Sequence, residues 1–238
     1  MKYSQDMEVI QGSHRRPTFF IGLPTFGMVP IEFHLAAQRL LMPVNAKAEN
    51  IIVPMDSPLP GQDGTTVKQK EIAEARNIIV QRALSRPLPA EYIFFIGDDM
   101  IPHWDALVLL YEEAVRGDWD ILGALYYMKQ DGIIPMPILW RDDVVGYLKE
   151  GIHYQLGEVA ISDVIGMDFT LIKTELFKKL PYPWFKTGPI QNTDIGSVWY
   201  FTEDSFFCRC AKYELNAKMG VYTKVRISHL DIVTGEVY

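Results

Sequence analysis

Short apolar segments alternate with amphipathic segments along the sequence, regularly in the first half and more loosely after about residue 130. The apolar segments have the length and the Ile, Phe and Val content of strands, and the others repeat apolar residues at helical spacing. Predicted strands cover 18–27, 50–56, 92–96, 120–127, 164–173 and 220–227, and predicted helices cover 66–84, 103–116, 174–180 and 203–216. Such alternation is typical of α/β proteins, so we predict a mostly parallel sheet flanked by helices.

The chain has 238 residues without an internal repeat or a Gly/Ser-rich linker, which favours one domain after a polar extension at 1–17. Its net charge of -7 argues against general nucleic-acid binding, which depends on cations that neutralise phosphates. Cys208 and Cys210 lie too close together to cross-link the fold and have no partners for a zinc site. We therefore expect reduced cysteines, as in a cytoplasmic protein, and we find no segment that predicts a signal peptide or a transmembrane helix.

Two adjacent acids end the most apolar predicted strand, in the stretch EYIFFIGDDMIP at 91–102. In parallel sheets, ligands bind beyond the carboxyl ends of the strands, where Asp98 and Asp99 are expected to lie. Mg²⁺ and Mn²⁺ prefer oxygen ligands, and one or two carboxylates are enough when substrate phosphates complete the coordination. Taken alone, the pair fits a turn or a helix cap at least as well as a metal site.

A second acidic pair, Glu203 and Asp204, begins a predicted amphipathic helix. One of these acids is a candidate general base, although acids in a first helical turn are also stabilised by the helix dipole. His229 follows the last predicted strand, where a neutral imidazole is either a metal ligand or a structural residue.

Arg76 and Asn77 border the apolar face of the predicted helix at 66–84, and an arginine there is suited to binding a phosphate. The alternative is an arginine whose stem packs while its guanidinium stays in water. Trp184 and Phe185 lie in a Pro-rich loop, PYPWFKTG, where we expect either an exposed platform for sugar rings or an anchor for the loop. The sequence contains no phosphate-binding GxxxxGK[ST] loop, no dinucleotide fingerprint and no G-x-S-x-G or HExxH motif.

Several of these segments occur in an order that resembles glycosyltransferases of the GT-A fold, in particular the family-2-like group of bacteria and their phages. The resemblance extends from about residue 18 to residue 229. It is carried by the segments FFIGLPTFGMV, EARNIIVQRAL, YIFFIGDDMIP, DILGALYY, VIGMDFTLIKTELFKKLPYPWF and TEDSFFCRCAKYELNAKMGVYTKVRISH. It implies a nucleotide-binding half at about 18–130 and an acceptor-binding half at about 131–238.

The resemblance also implies roles for individual residues. Asp99 matches the last acid of the family's DxD motif and Asp98 the middle position, so Asp99 is expected to bind the metal together with His229. Gly97 stands where the first acid of that motif usually lies, which departs from the pattern. Glu203 and Asp204 match the acidic motif that supplies the base in inverting members. The residues expected to bind substrate are Pro24, Thr25, Asp56, Arg76, Asn77, Asp98, Asp168, Trp184 and Phe185.

The implied activity is transfer of a sugar from a nucleotide-diphospho-sugar, a UDP- or GDP-sugar, to an acceptor hydroxyl with Mn²⁺ or Mg²⁺ as cofactor. Two alternatives remain open: a nucleotidyltransferase of related fold, which usually carries a basic first loop, and a catalytically silent scaffold that binds carbohydrate or protein. A homo-oligomer is compatible with the sequence. Neither the acceptor nor the stereochemical outcome follows from it.

Overall fold

The computed structural model describes residues 16–25, 27, 29–55, 72–87, 90–130, 133–144, 146–192, 197–232 and 234–238. The strands are β1 Thr18–Thr25, β2 Lys47–Pro54, β3 Tyr92–Ile96, β4 Met100–Ile101, β5 Ile121–Leu125, β6 Tyr127–Gln130, β7 Ile133–Pro137, β8 Leu139–Arg141, β9 Gly146–Tyr147, β10 Val159–Ile161, β11 Val164–Ile165, β12 Phe169–Lys173, β13 Gly188–Asn192, β14 Ser197–Phe201, β15 Met219–Arg226 and β16 Ser228–His229. The helices are α1 Ile31–Arg39, α2 Ile72–Leu84, α3 Ala106–Arg116, α4 Thr174–Lys179 and α5 Glu203–Leu215.

A central sheet of seven strands has the order β10-β15-β5-β12-β3-β1-β2. Strands β1, β2, β3, β5 and β15 run in one direction, and β10 and β12 run in the other. The predicted α/β class with a mostly parallel sheet is therefore confirmed. Because β12 and β15 lie in the same sheet as β1 and β3, the sheet includes strands from both predicted halves, and the separate roles of these halves stay a prediction.

Strand β12 is antiparallel because of the connection that precedes it. A parallel neighbour for β5 requires a crossover, usually a helix. The chain instead forms small antiparallel pairs after β5, β6 with β7 and β8 with β9 and β11, and then enters β12 from the edge where β5 ends. The predicted strand at 164–173 is thus divided into β11 and β12, and Asp168 lies at the carboxyl edge of β3 and β5.

Helices α2 and α3 cover opposite faces of the sheet. Helix α2 packs on β1 and β2, and α3 packs on β5, β12 and β15. All five residues of β3 are buried, with Phe95 in the core on the α2 side and Phe94 in the core on the α3 side. The prediction of a strand covered on both faces is confirmed, and it fixes the position of the residues that follow β3.

Other expectations differ in detail. Of the predicted helix at 66–84, residues 72–84 are helical and 66–71 lie outside the described residues, as do residues 1–15 of the predicted extension. Helix α1 was not predicted. Both cysteines are free thiols, as predicted. Among the described residues, we find no helix that combines the length and the apolar character needed to cross a bilayer.

Candidate active site

Asp99 and His229 meet at the carboxyl edge of the sheet, and we call them the metal pair after the role that the sequence resemblance implies for them. Strand β16 pairs antiparallel with β4, which sets His229 opposite Met100, and Leu230 N donates to Asp99 O at 2.9 Å. His229 Nδ1 lies 2.9 Å from Tyr127 O, and His229 Nε2 lies 3.1 Å from Asp99 Oδ2. Backbone pairing therefore brings together two residues that are 130 positions apart.

The hydrogen bonds of His229 determine which nitrogen is available to a cation. Because a carbonyl oxygen only accepts, Nδ1 carries a proton and donates it to Tyr127 O. Burial lowers the pKa of His229, but the bond to Asp99 outweighs this effect and raises it above the ordinary value. Nε2 is the nitrogen that faces Asp99, and a divalent cation bound between the two residues would displace a proton held there.

The donor set fits a hard or borderline cation that shares its coordination with a substrate. A neutral imidazole and a carboxylate suit Mn²⁺ and Mg²⁺, whose remaining ligands are commonly phosphates and waters. Within the described ranges, no group of three or more His, Cys, Asp or Glu side chains is arranged as a metal site. The protein's own contribution to such a site would thus be the metal pair.

Arg76, Asp168 and Glu203 form a second group beside the metal pair, which we call the Arg76 cluster. Arg76 Nη2 donates to Asp168 Oδ1 at 2.7 Å, Arg76 Nη1 donates to Glu203 Oε1, and the guanidinium carbon lies 5.9 Å from the Phe95 ring centre. The Arg76 side chain is 2% exposed. The alternative that its guanidinium stays in water is therefore wrong. Two carboxylates contact the guanidinium, and its expected contact with a phosphate stays a prediction.

Burial and charge act in opposite directions on the pKa values of this cluster. Burial lowers the pKa of Arg76, but the attraction of Asp168 and Glu203 is stronger and the pKa rises. For Asp168 and Glu203, burial raises the pKa, and Arg76 offsets only part of the rise. The pKa values of both acids therefore lie above their ordinary values, and Arg76 keeps them from rising further.

The acids at the start of α5 have different surroundings. Glu203 is buried and bound to Arg76. Asp204 is partly exposed, and its Oδ1 accepts from Ser205 N at 2.7 Å and from Thr202 Oγ1. Within the part of the chain that the structure describes, Asp204 Oδ2 has no hydrogen-bond partner. Of the two candidate bases, Asp204 is the more exposed and so the one that an acceptor hydroxyl reaches more readily.

Residues expected to face the nucleotide lie near the same edge. Pro24 and Thr25 end β1 and are buried, and Thr25 Oγ1 accepts from Gly27 N at 3.0 Å. Asp98 is also buried, at 5% exposure, whereas Asp99 is partly exposed. Asp56 lies outside the described residues. Substrate contacts of these four residues stay predictions.

The exposure expected for Trp184 and Phe185 is wrong. Trp184 is 9% exposed and its Nε1 donates to Phe177 O at 2.8 Å, while Phe185 is 1% exposed and stacks on Phe207. The rings fill the core between α2, α4 and α5, because the loop folds back onto it. The alternative that these aromatic residues anchor the loop describes the structure.

Asn77 also has a structural environment that differs from the expected substrate contact. Its Nδ2 donates to Phe185 O at 2.7 Å, and its Oδ1 accepts from Trp184 N and Phe185 N, each at 3.1 Å. The amide thus binds the loop backbone. The expected contact of Asn77 with substrate stays a prediction.

Tyr126 is a site residue that the sequence did not reveal. Its hydroxyl donates to Asp168 Oδ2 at 3.2 Å, and its ring lies edge-on to His229 with centroids 6.2 Å apart. Burial raises the pKa of Tyr126 well above its ordinary value, so the hydroxyl remains a donor. The sequence pattern shows only an aromatic residue near the end of the predicted strand at 120–127, which carries no signal for this role.

The protein resembles known proteins in structure but matches none of the compared families and curated proteins in sequence. No protein family profile and no curated protein matches the sequence. A197 from STIV matches with a TM-score of 0.56 and 20% identity over 90% of this chain and 85% of its own. GalNAc-T7 with UDP, GalNAc and Mn²⁺ has a TM-score of 0.58 and 10% identity over 92% of this chain and 44% of its own. S. aureus TarS 1–349 in complex with UDP has a TM-score of 0.52 and 14% identity, covering 88% of this chain and 59% of TarS.

The likeness covers nearly the whole described chain, although the chain spans only about half the length of TarS and GalNAc-T7. At these identities it establishes the architecture and not the activity. The central sheet, the position of its edge and these matches together identify the fold that the sequence resemblance implied. The chain has the GT-A fold.

Proposed function

We propose that the protein is a metal-dependent glycosyltransferase that moves a sugar from a nucleotide-diphospho-sugar to an acceptor hydroxyl. The observation that carries this proposal is the metal pair, where an imidazole nitrogen and a carboxylate oxygen converge 3.1 Å apart at the ligand-binding edge of the sheet. Glu203 is buried and Asp204 is partly exposed, so Asp204 is a candidate base at the same edge.

The charges of the site favour a cation between protein and donor. Asp99, Asp168, Glu203 and Asp204 are four acids, and the single positive charge of Arg76 lies against two of them, Asp168 and Glu203. A diphosphate would be repelled by the remaining carboxylates unless a divalent ion lies between them. When bound, Mn²⁺ or Mg²⁺ would act as a Lewis acid that stabilises the negative charge of the leaving diphosphate.

The donor is proposed to be a UDP- or GDP-sugar. Two solved structures with the same fold were determined with UDP, and one of them also holds Mn²⁺. In this chain Pro24 and Thr25 would line the nucleotide site at the end of β1, beside the end of β3. Asp98, which follows β3, is proposed to support that site from its buried position.

For an inverting reaction, Asp204 is proposed to accept the proton of the acceptor hydroxyl through Oδ2. Glu203 is proposed as a positioning residue, because its bond to Arg76 fixes the start of α5. A retaining reaction needs no such base, and the anomeric configuration of the product, measured by NMR, distinguishes the two outcomes.

The proposal is tested by incubating the protein with a panel of UDP- and GDP-sugars and Mn²⁺, with and without acceptor sugars, and measuring release of nucleoside diphosphate. We expect release with at least one donor and its loss on addition of EDTA. Release of pyrophosphate from a sugar phosphate and nucleoside triphosphate would instead identify a nucleotidyltransferase. Failure to bind any sugar nucleotide in calorimetry would overturn the proposal.

The base assignment is tested with Asp204→Asn, which keeps the size of the side chain and its Oδ1 contacts but removes the proton acceptor. A general base contributes about 100-fold or more, so we expect at least that loss in kcat with unchanged donor binding. Glu214→Gln, an exposed acid on the same helix, is the matched control. Transfer by Asp204→Asn at the wild-type rate would exclude Asp204 as the base.

A further inference from the structure

Gly97 lies where a side chain would collide with two carboxylates. Its N–H donates to Asp168 O at 2.8 Å, one position beyond the pairing of Ile96 with Phe169. A Cβ on residue 97 would lie 2.9 Å from Asp99 Oδ1 and 3.1 Å from Asp168 Cβ, closer than ordinary contacts allow. The backbone of Gly97 is not in the left-handed region, so the glycine is required by this crowding.

Of the two carboxylates that crowd Gly97, that of Asp168 is held in a fixed orientation. Arg76 binds Asp168 Oδ1 at 2.7 Å, and Tyr126 binds Oδ2 at 3.2 Å. The Asp168 side chain is nevertheless 29% exposed, and a carboxylate has about four acceptor positions, of which these bonds occupy two. Asp168 therefore has acceptor capacity that the protein's own hydrogen bonds do not use.

The other acids near Gly97 are less suited than Asp168 to accept a hydrogen bond from a ligand. Asp98 is buried, and Asp99 faces His229. The unused acceptor positions of Asp168, on a side chain that is 29% exposed, suit a hydrogen-bond donor of a ligand. Ribose hydroxyls are such donors in the nucleotide that the proposed function requires.

We infer that Asp168 supplies, from the start of β12, the carboxylate that a DxD motif would carry at position 97, and that it accepts a hydrogen bond from a ribose hydroxyl of the donor. Only one carboxylate fits beside Asp99, and this chain provides it from the neighbouring strand. The carboxylate of Asp168 thus compensates for the absence of a carboxylate at Gly97. This inference rests on the proposed glycosyltransferase function.

The inference is testable by moving the carboxylate from position 168 to position 97. Calorimetric titration with UDP and GDP in the presence of Mn²⁺ would compare the wild type with Asp168→Asn, Asp168→Gly, Gly97→Asp and the double variant Gly97→Asp/Asp168→Gly. We expect affinity to fall about tenfold or more in each single variant, because a charge-assisted hydrogen bond is lost or the site is crowded. The double variant removes the contact with Asp168 Cβ and leaves that with Asp99 Oδ1, the end of a side chain that can shift, so it should recover part of that loss.

Deoxynucleotides separate binding by Asp168 from structural support. The wild type should prefer the nucleoside diphosphate over its 2′-deoxy or 3′-deoxy counterpart, and Asp168→Asn should reduce that preference, which a change in stability alone would not do. Thermal unfolding checks that each variant is folded, and Asp168→Asn decides the matter if the double variant does not fold. Wild-type affinity in Asp168→Asn, an unchanged preference for the ribose, or a folded double variant no better than Asp168→Gly would overturn the inference. A wild type that binds no nucleoside diphosphate would overturn the proposed function itself.

Discussion

The Arg76 cluster and the metal pair lie at the same edge of the sheet but differ in the burial of their charged groups and in the partners that the protein provides for them. Arg76 is 2% exposed and binds two acids, whereas the side chains of Asp99 and His229 are 28% and 20% exposed and bind each other. A buried arginine with two carboxylates has little room for a ligand. A partly exposed acid and imidazole that face one another can exchange their shared proton for a cation.

The difference indicates a division between support and chemistry. The Arg76 cluster joins α2, the start of β12 and the start of α5, which are three separate parts of the chain. It thereby fixes Asp168 and the first turn of α5, on which Asp204 lies. The metal pair joins β4 to β16 and faces the site. We therefore expect substitutions in the cluster to reduce stability most, and substitutions in the pair to reduce ligand binding most.

The largest loss of stability is expected for Arg76→Met. It leaves Asp168 and Glu203 without their cation in a low-dielectric site, which costs about 3–5 kcal/mol in the free energy of unfolding. Urea denaturation measures this loss. Arg82→Met, an exposed arginine six residues later on α2, is the matched control and should change the free energy by less than about 1 kcal/mol.

Arg76→Lys sharpens the same test. Lysine keeps the charge but lacks the planar fork that reaches two carboxylates, so we expect an intermediate stability. A free energy for Arg76→Met within 1 kcal/mol of the wild type would show that the cluster does not hold the site together, and the distinction between support and chemistry would fail.

A smaller loss is expected for Asn77→Ala, the residue that holds the loop at Trp184 and Phe185. The change leaves two backbone N–H groups and one carbonyl in a buried region without their partner, and we expect a loss of about 2–3 kcal/mol in urea denaturation. Gln81→Ala, an exposed amide on the same helix, is the control. If Asn77→Ala is fully stable but binds sugar nucleotide weakly, the structural assignment of Asn77 is wrong and the original substrate assignment is right.

The sequence predicts those parts of the site that depend on local pattern. A run of five apolar residues predicts β3 and therefore the position of Asp99, and helical spacing predicts the buried face of α2 that Arg76 borders. Helix α1 lacks such a pattern, since Phe33 and Ala36 are buried while Ile31 and Leu35 are exposed.

The partners of Arg76 are beyond local pattern. Asp168 is 92 positions away and Glu203 is 127 positions away, and their contact depends on the antiparallel entry of β12 and on the start of α5. The same limit explains the aromatic loop. Its sequence does not show whether Trp184 turns to solvent or to the core, because the answer lies in the backbone groups that Asn77 binds.

The smallest loss of stability is expected in the metal pair, for Asp99→Asn and His229→Gln. Partly exposed ion pairs contribute about 1 kcal/mol or less, so both variants should unfold close to the wild type. Calorimetry should nevertheless show that Mn²⁺ no longer strengthens binding of UDP or GDP, because an amide is a poor replacement for either ligand.

A second His–Asp pair provides the control for this prediction. His103 Nδ1 lies 2.6 Å from Asp105 Oδ1 on the surface before α3, and the His103 side chain is 64% exposed. Asp105→Asn and His103→Gln remove the same chemical groups away from the end of β16 and should leave the effect of Mn²⁺ unchanged. Equal effects in both pairs would mean that Mn²⁺ acts through general surface charge. Loss in the metal pair alone, with stability retained, would show that this pair serves the ligand while Arg76 serves the fold.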